Sequence, residues 1–334
     1  MSDHVTADPI LDVRDLVVEF PRGRDAITPV RGVSFTLDRR QRLGIVGESG
    51  SGKSLTALSL MRLLTPPGRI AGGQVLLGGQ DLTQLSEREM ARVRGGRLAL
   101  VYQDPMSSLN PVHTIGRQIV EAIRTHEDVS RRVARARAID LLGEVGLPAP
   151  ARRFDSYPHQ FSGGMRQRVM IAMAIAAGPD VLIADEPTTA LDVTTQARII
   201  ELLSRLVDEH DMGVILITHD LGLAATFCDD LQVMYAGRIV ERSRAEPLFE
   251  RPVHPYTEAL LGAICRLDFD VTQPIAAIPG QPPLPQQLPP GCPFHPRCPH
   301  AVARCSTEEP VSHALPDGRT AECHLAETRA EVTV

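Results

Sequence analysis

The run Gly47-Glu48-Ser49-Gly50-Ser51-Gly52-Lys53-Ser54 holds the densest set of chemistry-capable residues in the chain. It fits G-x-x-x-x-G-K-[ST]. In that pattern glycines let backbone N–H groups turn inward around phosphates, Lys53 reaches the β- and γ-phosphates, and the Ser54 hydroxyl ligates Mg2+. The apolar stretch Leu43–Val46 precedes the loop and Leu55–Leu64 reads as the helix after it, which is the context a P-loop requires. A second stretch, Val181-Leu182-Ile183-Ala184, ends in Asp185-Glu186, where open parallel sheets place ligand-binding groups. Asp185 then holds the Mg2+ shell and Glu186 orients and activates the attacking water. Taken alone, adjacent acids at a strand end are more often an ordinary polar loop; the pairing with the P-loop turns the reading to catalysis.

Two further apolar stretches end in polar groups: Leu98–Tyr102 in Gln103, and Val214–Thr218 in His219. A lone Gln or His at a strand end is usually structural. Four strands that deliver a phosphate, metal or proton-transfer group at the same end are what one nucleotide crevice needs. Phe161-Ser162-Gly163-Gly164-Met165 opens a helix instead of closing a strand. Ser162 can cap it and the glycines offer bare N–H groups to an anion, so a plain N-cap and an anion site both remain open.

The elements that position these groups follow from periodicity. The four short stretches are rich in β-branched residues and read as buried strands. Between them lie helical patterns such as Thr195–His210, where Ile199, Leu202, Leu203 and Leu206 share one face while Glu201, Arg205 and Asp208 point away. Alternating strands and helices predict an α/β fold with a mainly parallel sheet. From about Asp104 to Tyr157 that rhythm breaks into Arg- and Ala-rich helical segments such as Ser130–Gly143, a helical insertion that extends to about residue 178. Leu11–Phe20 and Val33–Leu37 alternate apolar and polar residues as half-exposed antiparallel strands do, and are expected to edge the sheet. After Arg266 come Pro274, Pro279, Pro282, Pro283, Pro285, Pro289 and Pro290, a spacing that forbids regular helix or central strand. The expected domains are therefore 1–265 and 266–334.

Composition narrows the partners. The 334 residues carry 43% hydrophobic and 23% charged side chains, an ordinary globular balance. A formal charge of -6, no Trp and 4% aromatics argue against a nucleic-acid binder, which needs a basic surface or stacking platform. Met1 to Ile10 lacks a basic-then-apolar leader, so a cytoplasmic location is expected. The longest apolar run, Val169–Ala177, stops at Gly178-Pro179, well short of the ~20 residues that span a bilayer, so membrane association must pass through a partner. Of six cysteines, Cys228 and Cys265 stand apart, whereas Cys292, Cys298, Cys305 and Cys323 crowd into the tail. In a reducing compartment such a cluster points to metal before disulfide. Four thiolates can serve zinc, with His295 or His300 as alternates, or an iron–sulfur cluster, and free thiols are the third reading.

Walker A, Gln103, Ser162-Gly163-Gly164, Asp185-Glu186, Ala190-Leu191-Asp192 and His219 resemble, in order and spacing, the motifs of ABC ATPases over about Ile10 to Thr257. The resemblance implies a P-loop ABC ATPase domain with a mixed sheet, an antiparallel β edge and an α-helical subdomain. It also implies roles. Phe20 stacks on adenine, and Gly47, Ser49, Gly50, Ser51, Gly52, Lys53 and Ser54 surround the phosphates. Gln103 is the Q-loop residue and joins Ser54 and Asp185 at Mg2+; Ser162, Gly163 and Gly164 are the signature donors. Asp192 is the D-loop acid, Glu186 the catalytic base, and His219 the switch histidine. Two such subunits, identical or homologous, pair head to tail over ATP.

Phe161 and Met165 replace the commoner Leu and Gln of the signature. With Tyr157-Pro158-His159-Gln160, Val253-His254-Pro255-Tyr256-Thr257 and the Cys-containing tail, they resemble the oligopeptide/dipeptide importer subgroup. That implies ATP hydrolysis at the cytoplasmic face of the membrane, coupled to permease subunits and, indirectly, to an extracytoplasmic substrate-binding protein. It favours a [4Fe-4S] cluster on Cys292, Cys298, Cys305 and Cys323 over zinc. Nickel, glutathione or export substrates, and a soluble ABC ATPase, are the rival functions.

Overall fold

The computed structural model describes residues 8–22, 25–104, 108–189, 191–263 and 278–332. Ala190, Cys265, Arg266 and Pro274, named above, lie outside the described residues. The chain forms two compact units: Met1–Leu11, Thr36–Gln41 and Leu76–Ile215 in one; Asp12–Phe35, Arg42–Val75 and Leu216–Val334 in the other.

In the second unit, β1 (Leu11–Arg22) lies between β2 (Asp25–Leu37) and β4 (Arg69–Leu77), in a sheet separate from the one that contains β3 (Arg42–Val46). The expectation that the first strands edge the main sheet is therefore corrected. Leu11, Val13, Leu16 and Val18 are buried while intervening side chains are more exposed, so this alternation serves a sheet of its own. Strand β3 pairs in parallel with β9 (Asp230–Tyr235), Ile45 opposite Gln232. Strand β9 pairs antiparallel with β10 (Arg238–Arg244), and β10 with β12 (Thr320–Ala321), which pairs in turn with β11 (His313–Ala314). The tail is thus stitched into the sheet that carries the P-loop. Leu315, Ala321, Cys323 and Ala326 close over Val253 in a small core. Among the described residues, 278–294 form neither helix nor strand, as the prolines require.

The first unit holds β6 (Leu98–Val101) paired in parallel with β7 (Val181–Asp185). Helices α3 (Ile115–His126), α4 (Arg131–Glu144), α5 (Pro150–Arg153) and α6 (Gly163–Ile175) follow β6, and α7 (Val193–His210) follows β7. Helix α6 packs on α3, α4 and β6. On α7, Ile199, Leu202, Leu203 and Leu206 are buried and Glu201, Arg205 and Asp208 are exposed, the stripe its 3.6-residue period predicts. Helices α3, α4, α6 and α7 begin at Thr114, Ser130, Ser162 and Asp192, each accepting a hydrogen bond from the backbone N–H three residues on. One of the boundaries between the units falls inside β8 (Gly213–Thr218).

Candidate functional site

Strand β3 delivers the chain to the Gly-rich loop, and α1 (Lys53–Leu60) leaves it. Side chains larger than hydrogen do not fit here. A Cβ on Gly47 would stand 2.2 Å from the Met234 carbonyl oxygen, and Gly52 has φ +109° with the Pro29 oxygen 2.7 Å from its would-be Cβ. Gly52 is also the N-cap of α1 and offers no side chain to the first-turn N–H groups. Those donors and the positive end of the helix are left to an anion. Lys53, 5% exposed, donates to the carbonyl oxygens of Gly47 (2.7 Å) and Glu48 (2.8 Å). Its ammonium is held over the loop, ready to exchange neutral carbonyls for charged phosphate oxygens. Ser54 is exposed one residue later. Phe20, half-buried, lays its ring against Gly68, where a Cβ would come within 2.6 Å of the ring carbon Cε1. His219 is exposed just after β8.

In the first unit, β7 ends in Asp185 and Glu186. Glu186 adopts φ +49°, a left-handed conformation that carries strain in a residue with a Cβ and marks a constrained site. Its carboxylate accepts hydrogen bonds from the Gln103 amide (2.8 Å) and the Thr189 hydroxyl (2.9 Å). Gln103 at the end of β6 and Glu186 at the end of β7 therefore meet, as parallel pairing of the two strands requires. Thr189 was not among the sequence candidates; its position three residues after the acid is the only local signal.

Ser162 caps α6 through its hydroxyl, which accepts from the Met165 N–H. Asp192 caps α7, accepting from the Thr195 N–H (3.0 Å) and hydroxyl (2.8 Å), and these bonds hold its carboxyl below the usual carboxylate range. The two helix starts lie together: a Cβ on Gly164 would stand 2.5 Å from Thr195 Cγ2, and one on Gly163 3.4 Å from Leu191 Cδ2. Small residues are needed here for close approach, a requirement separate from leaving N–H groups bare.

Cys292, Cys298, Cys305 and Cys323 are free thiols. The Cys292 N–H donates to the Cys305 carbonyl (2.8 Å), and the four thiols lie within electrostatic reach of one another. Burial pushes Cys292 up to about 11 and raises Cys298 and Cys323 as well, so without a cation these thiols are protonated. Among the described residues no three His, Cys, Asp or Glu side chains are grouped to hold a metal ion. The expected metal centre is thus not supported as a formed site. Its donor set is close but not drawn together, and His295 Nδ1 is engaged with the Cys292 carbonyl (2.9 Å).

Two residues absent from the sequence candidates reach the P-loop within the second unit. The Tyr256 hydroxyl accepts from the Glu48 N–H (2.8 Å), and the Arg297 guanidinium grips the Glu48 carboxylate.

A Gly-rich loop set between a parallel strand and an uncapped helix, with its lysine folded over it, defines a P-loop nucleotide-binding protein. The family pattern described as ABC transporter matches residues 30–189, and that described as oligopeptide/dipeptide transporter, C-terminal region, matches 240–305. The chain is 52% identical to a putative peptide import ATP-binding protein of Brucella abortus (strain 2308), over 97% of each chain. It is 49% identical to the dipeptide transport ATP-binding protein DppD of Escherichia coli (strain K12), over 94% of this chain and 96% of that one. Among solved structures, a dimeric ATP-binding cassette in a post-hydrolysis state, bound to ADP and Pi, matches with TM-score 0.63 and 26% identity, over 70% of this chain and 98% of that one. The chain belongs to the ABC transporter family, among its ATP-binding subunits.

Proposed function

We propose that the chain is the ATP-hydrolysing subunit of a peptide importer, working at the cytoplasmic face of the membrane through permease subunits and a second ATPase subunit. The observation that carries the reading is the near-full-length likeness to peptide and dipeptide transport ATP-binding proteins, tail included, on a chain whose P-loop geometry is intact. No described helix is long and apolar enough to cross a membrane. ATP and Mg2+ are the working ligands. Lys53 and the loop N–H groups bind the phosphates, Ser54, Gln103 and Asp185 hold Mg2+, and Glu186, steered by Gln103 and Thr189, orients the water. Phe20 supports the base, His219 senses the γ-phosphate, and Ser162, Gly163, Gly164 and Asp192 serve the site of the paired subunit. The domain division that goes with this reading is an ATPase module of residues 1–265, its helical part 104–178, and a tail of 266–334.

Purified chain, assayed for ATP hydrolysis with and without its permease and partner ATPase in lipid, tests the reading. Stimulation by the permease is the expected result. Full activity indifferent to any membrane partner would favour a soluble ABC ATPase instead.

The tail is the proposed seat of a [4Fe-4S] cluster on Cys292, Cys298, Cys305 and Cys323. Support comes from four free thiols gathered in one segment, an all-sulfur donor set, and the likeness to the oligopeptide-type tail. A cluster would staple a segment that otherwise folds around prolines and turns. Anaerobically purified protein should contain iron and absorb broadly near ~400 nm; iron-free, zinc-loaded protein from the same preparation would overturn the assignment.

A further inference from the structure

A tail side chain, that of Arg297, reaches the nucleotide loop. Arg297 is 6% exposed and lies in a short turn between Cys292 and Cys298. Its Nη1 and Nη2 donate to the two Glu48 carboxylate oxygens at 2.7 and 3.0 Å, across 249 residues of sequence. Its Nε donates to the Pro279 carbonyl (2.8 Å), and Nη1 also reaches the Tyr235 hydroxyl (3.3 Å). Every nitrogen of the guanidinium is thus engaged, and the fork-to-fork geometry fixes direction as well as distance.

Glu48 is held at its backbone too. Its N–H donates to Tyr256 Oη, and its carbonyl oxygen accepts from Lys53 Nζ. The two tyrosines pack against each other with ring centroids 4.5 Å apart, and Phe294, three residues before Arg297, sets its ring edge against both at 5.4 Å. Tyr235 directly follows Met234, whose carbonyl abuts Gly47. A displacement of the tail turn would therefore move the Glu48 carboxylate, the peptide that follows Gly47, and the carbonyl on which Lys53 rests.

We infer that Arg297 is a positioning residue of the nucleotide site: through Glu48 it pre-organises the Walker A loop, and the tail sets ATP affinity without touching ATP. A loop already held in its binding conformation loses less freedom when ligand arrives, so removing the clamp should weaken binding more than it slows chemistry.

The inference rests on the ATP-binding reading, and the experiment separates the two. Binding of the Mg complex of a non-hydrolysable ATP analogue is titrated calorimetrically into full-length wild type, Arg297→Ala, Arg297→Lys, Glu48→Gln and the double variant Arg297→Ala/Glu48→Gln. Hydrogen exchange is followed at residues 47–53, and KM and kcat for ATP are measured. Wild type that binds no nucleotide would sink the functional reading itself. With wild type binding, Arg297→Ala and Glu48→Gln should each weaken binding about tenfold, and the double variant should be no worse than either single. KM should rise while kcat holds, and exchange at 47–53 should quicken. Arg297→Lys, which keeps the charge but loses the fork, should weaken binding at least about threefold; it carries the test if the alanine variant does not fold. Arg297→Lys binding indistinguishable from wild type, or single effects that multiply in the double variant, would overturn the clamp.

Discussion

Lys53 and Glu186 are constrained in different ways, and the difference predicts how their variants fail. Lys53 is buried with its ammonium on two carbonyl oxygens, so Lys53→Ala removes a charged donor from a loop built to face phosphate. A charge-assisted hydrogen bond contributes about 2 kcal/mol, so ATP affinity should fall roughly thirtyfold, as equilibrium titration would read. Glu186 is held by Gln103 and Thr189 at a strained φ. Glu186→Gln keeps the shape and loses the base: binding should stay within about twofold while single-turnover hydrolysis slows by roughly 10²–10⁴. Rapid hydrolysis by that variant would remove Glu186 from the catalytic role. Both residues were legible in sequence because Glu186 directly follows a contiguous apolar strand and Lys53 closes the Gly-rich loop that follows another. Thr189 was not, since a Thr three residues past an acid carries no signal until the turn between them is formed.

At the scale of elements, β10 and the His254 turn carry a buried polar group whose titration is a stability term. His254 is fully enclosed, with Nδ1 accepting from the Tyr256 N–H. It is faced by the Glu241 carboxylate, which accepts from the Val253 and His254 N–H groups, by Arg329, and by the Glu322 backbone. Burial, and then Arg329, lower His254 to about 3, whereas burial raises Glu241. An unfolded His takes up a proton near pH 6.5 and the folded one does not, so stability is fully present above that value. It is lost as pH falls toward 3, at up to about 1.4 kcal/mol per pH unit. Glu241 acts in the opposite sense, because its folded form takes up a proton before the unfolded one, and so partly offsets the loss at acid pH. Thermal melts between pH 7.5 and 5 should show a falling Tm, and His254→Asn, which can still accept from Tyr256, should flatten the slope. A slope unchanged in that variant would assign the acid sensitivity elsewhere.

At the scale of the molecule, the dimeric cassette matched at TM-score 0.63 suggests what ATP should do in solution. With Glu186→Gln, Mg-ATP should convert the purified chain, or the chain with its partner ATPase, from monomer to dimer by size-exclusion with light scattering. A monomer under ATP with demonstrated binding would argue that this chain pairs only within the assembled importer.

Residues near one another in sequence announced the P-loop, the strand-end acids, the amphipathic α7 and the Ser162 cap, because each depends on a local repeat or on a side chain meeting a backbone N–H three residues away. The sequence also carried the likeness of the tail to a transporter-type extension. What it could not carry were contacts between groups far apart along the chain. Only tertiary structure decided that β1 and β2 belong to a sheet of their own, and that β12 extends the P-loop sheet. It alone decided that Arg297 closes on Glu48. An arginine in a Pro-rich tail looks like any solvated cation until the fold buries it, and once buried its charge has to find a carboxylate.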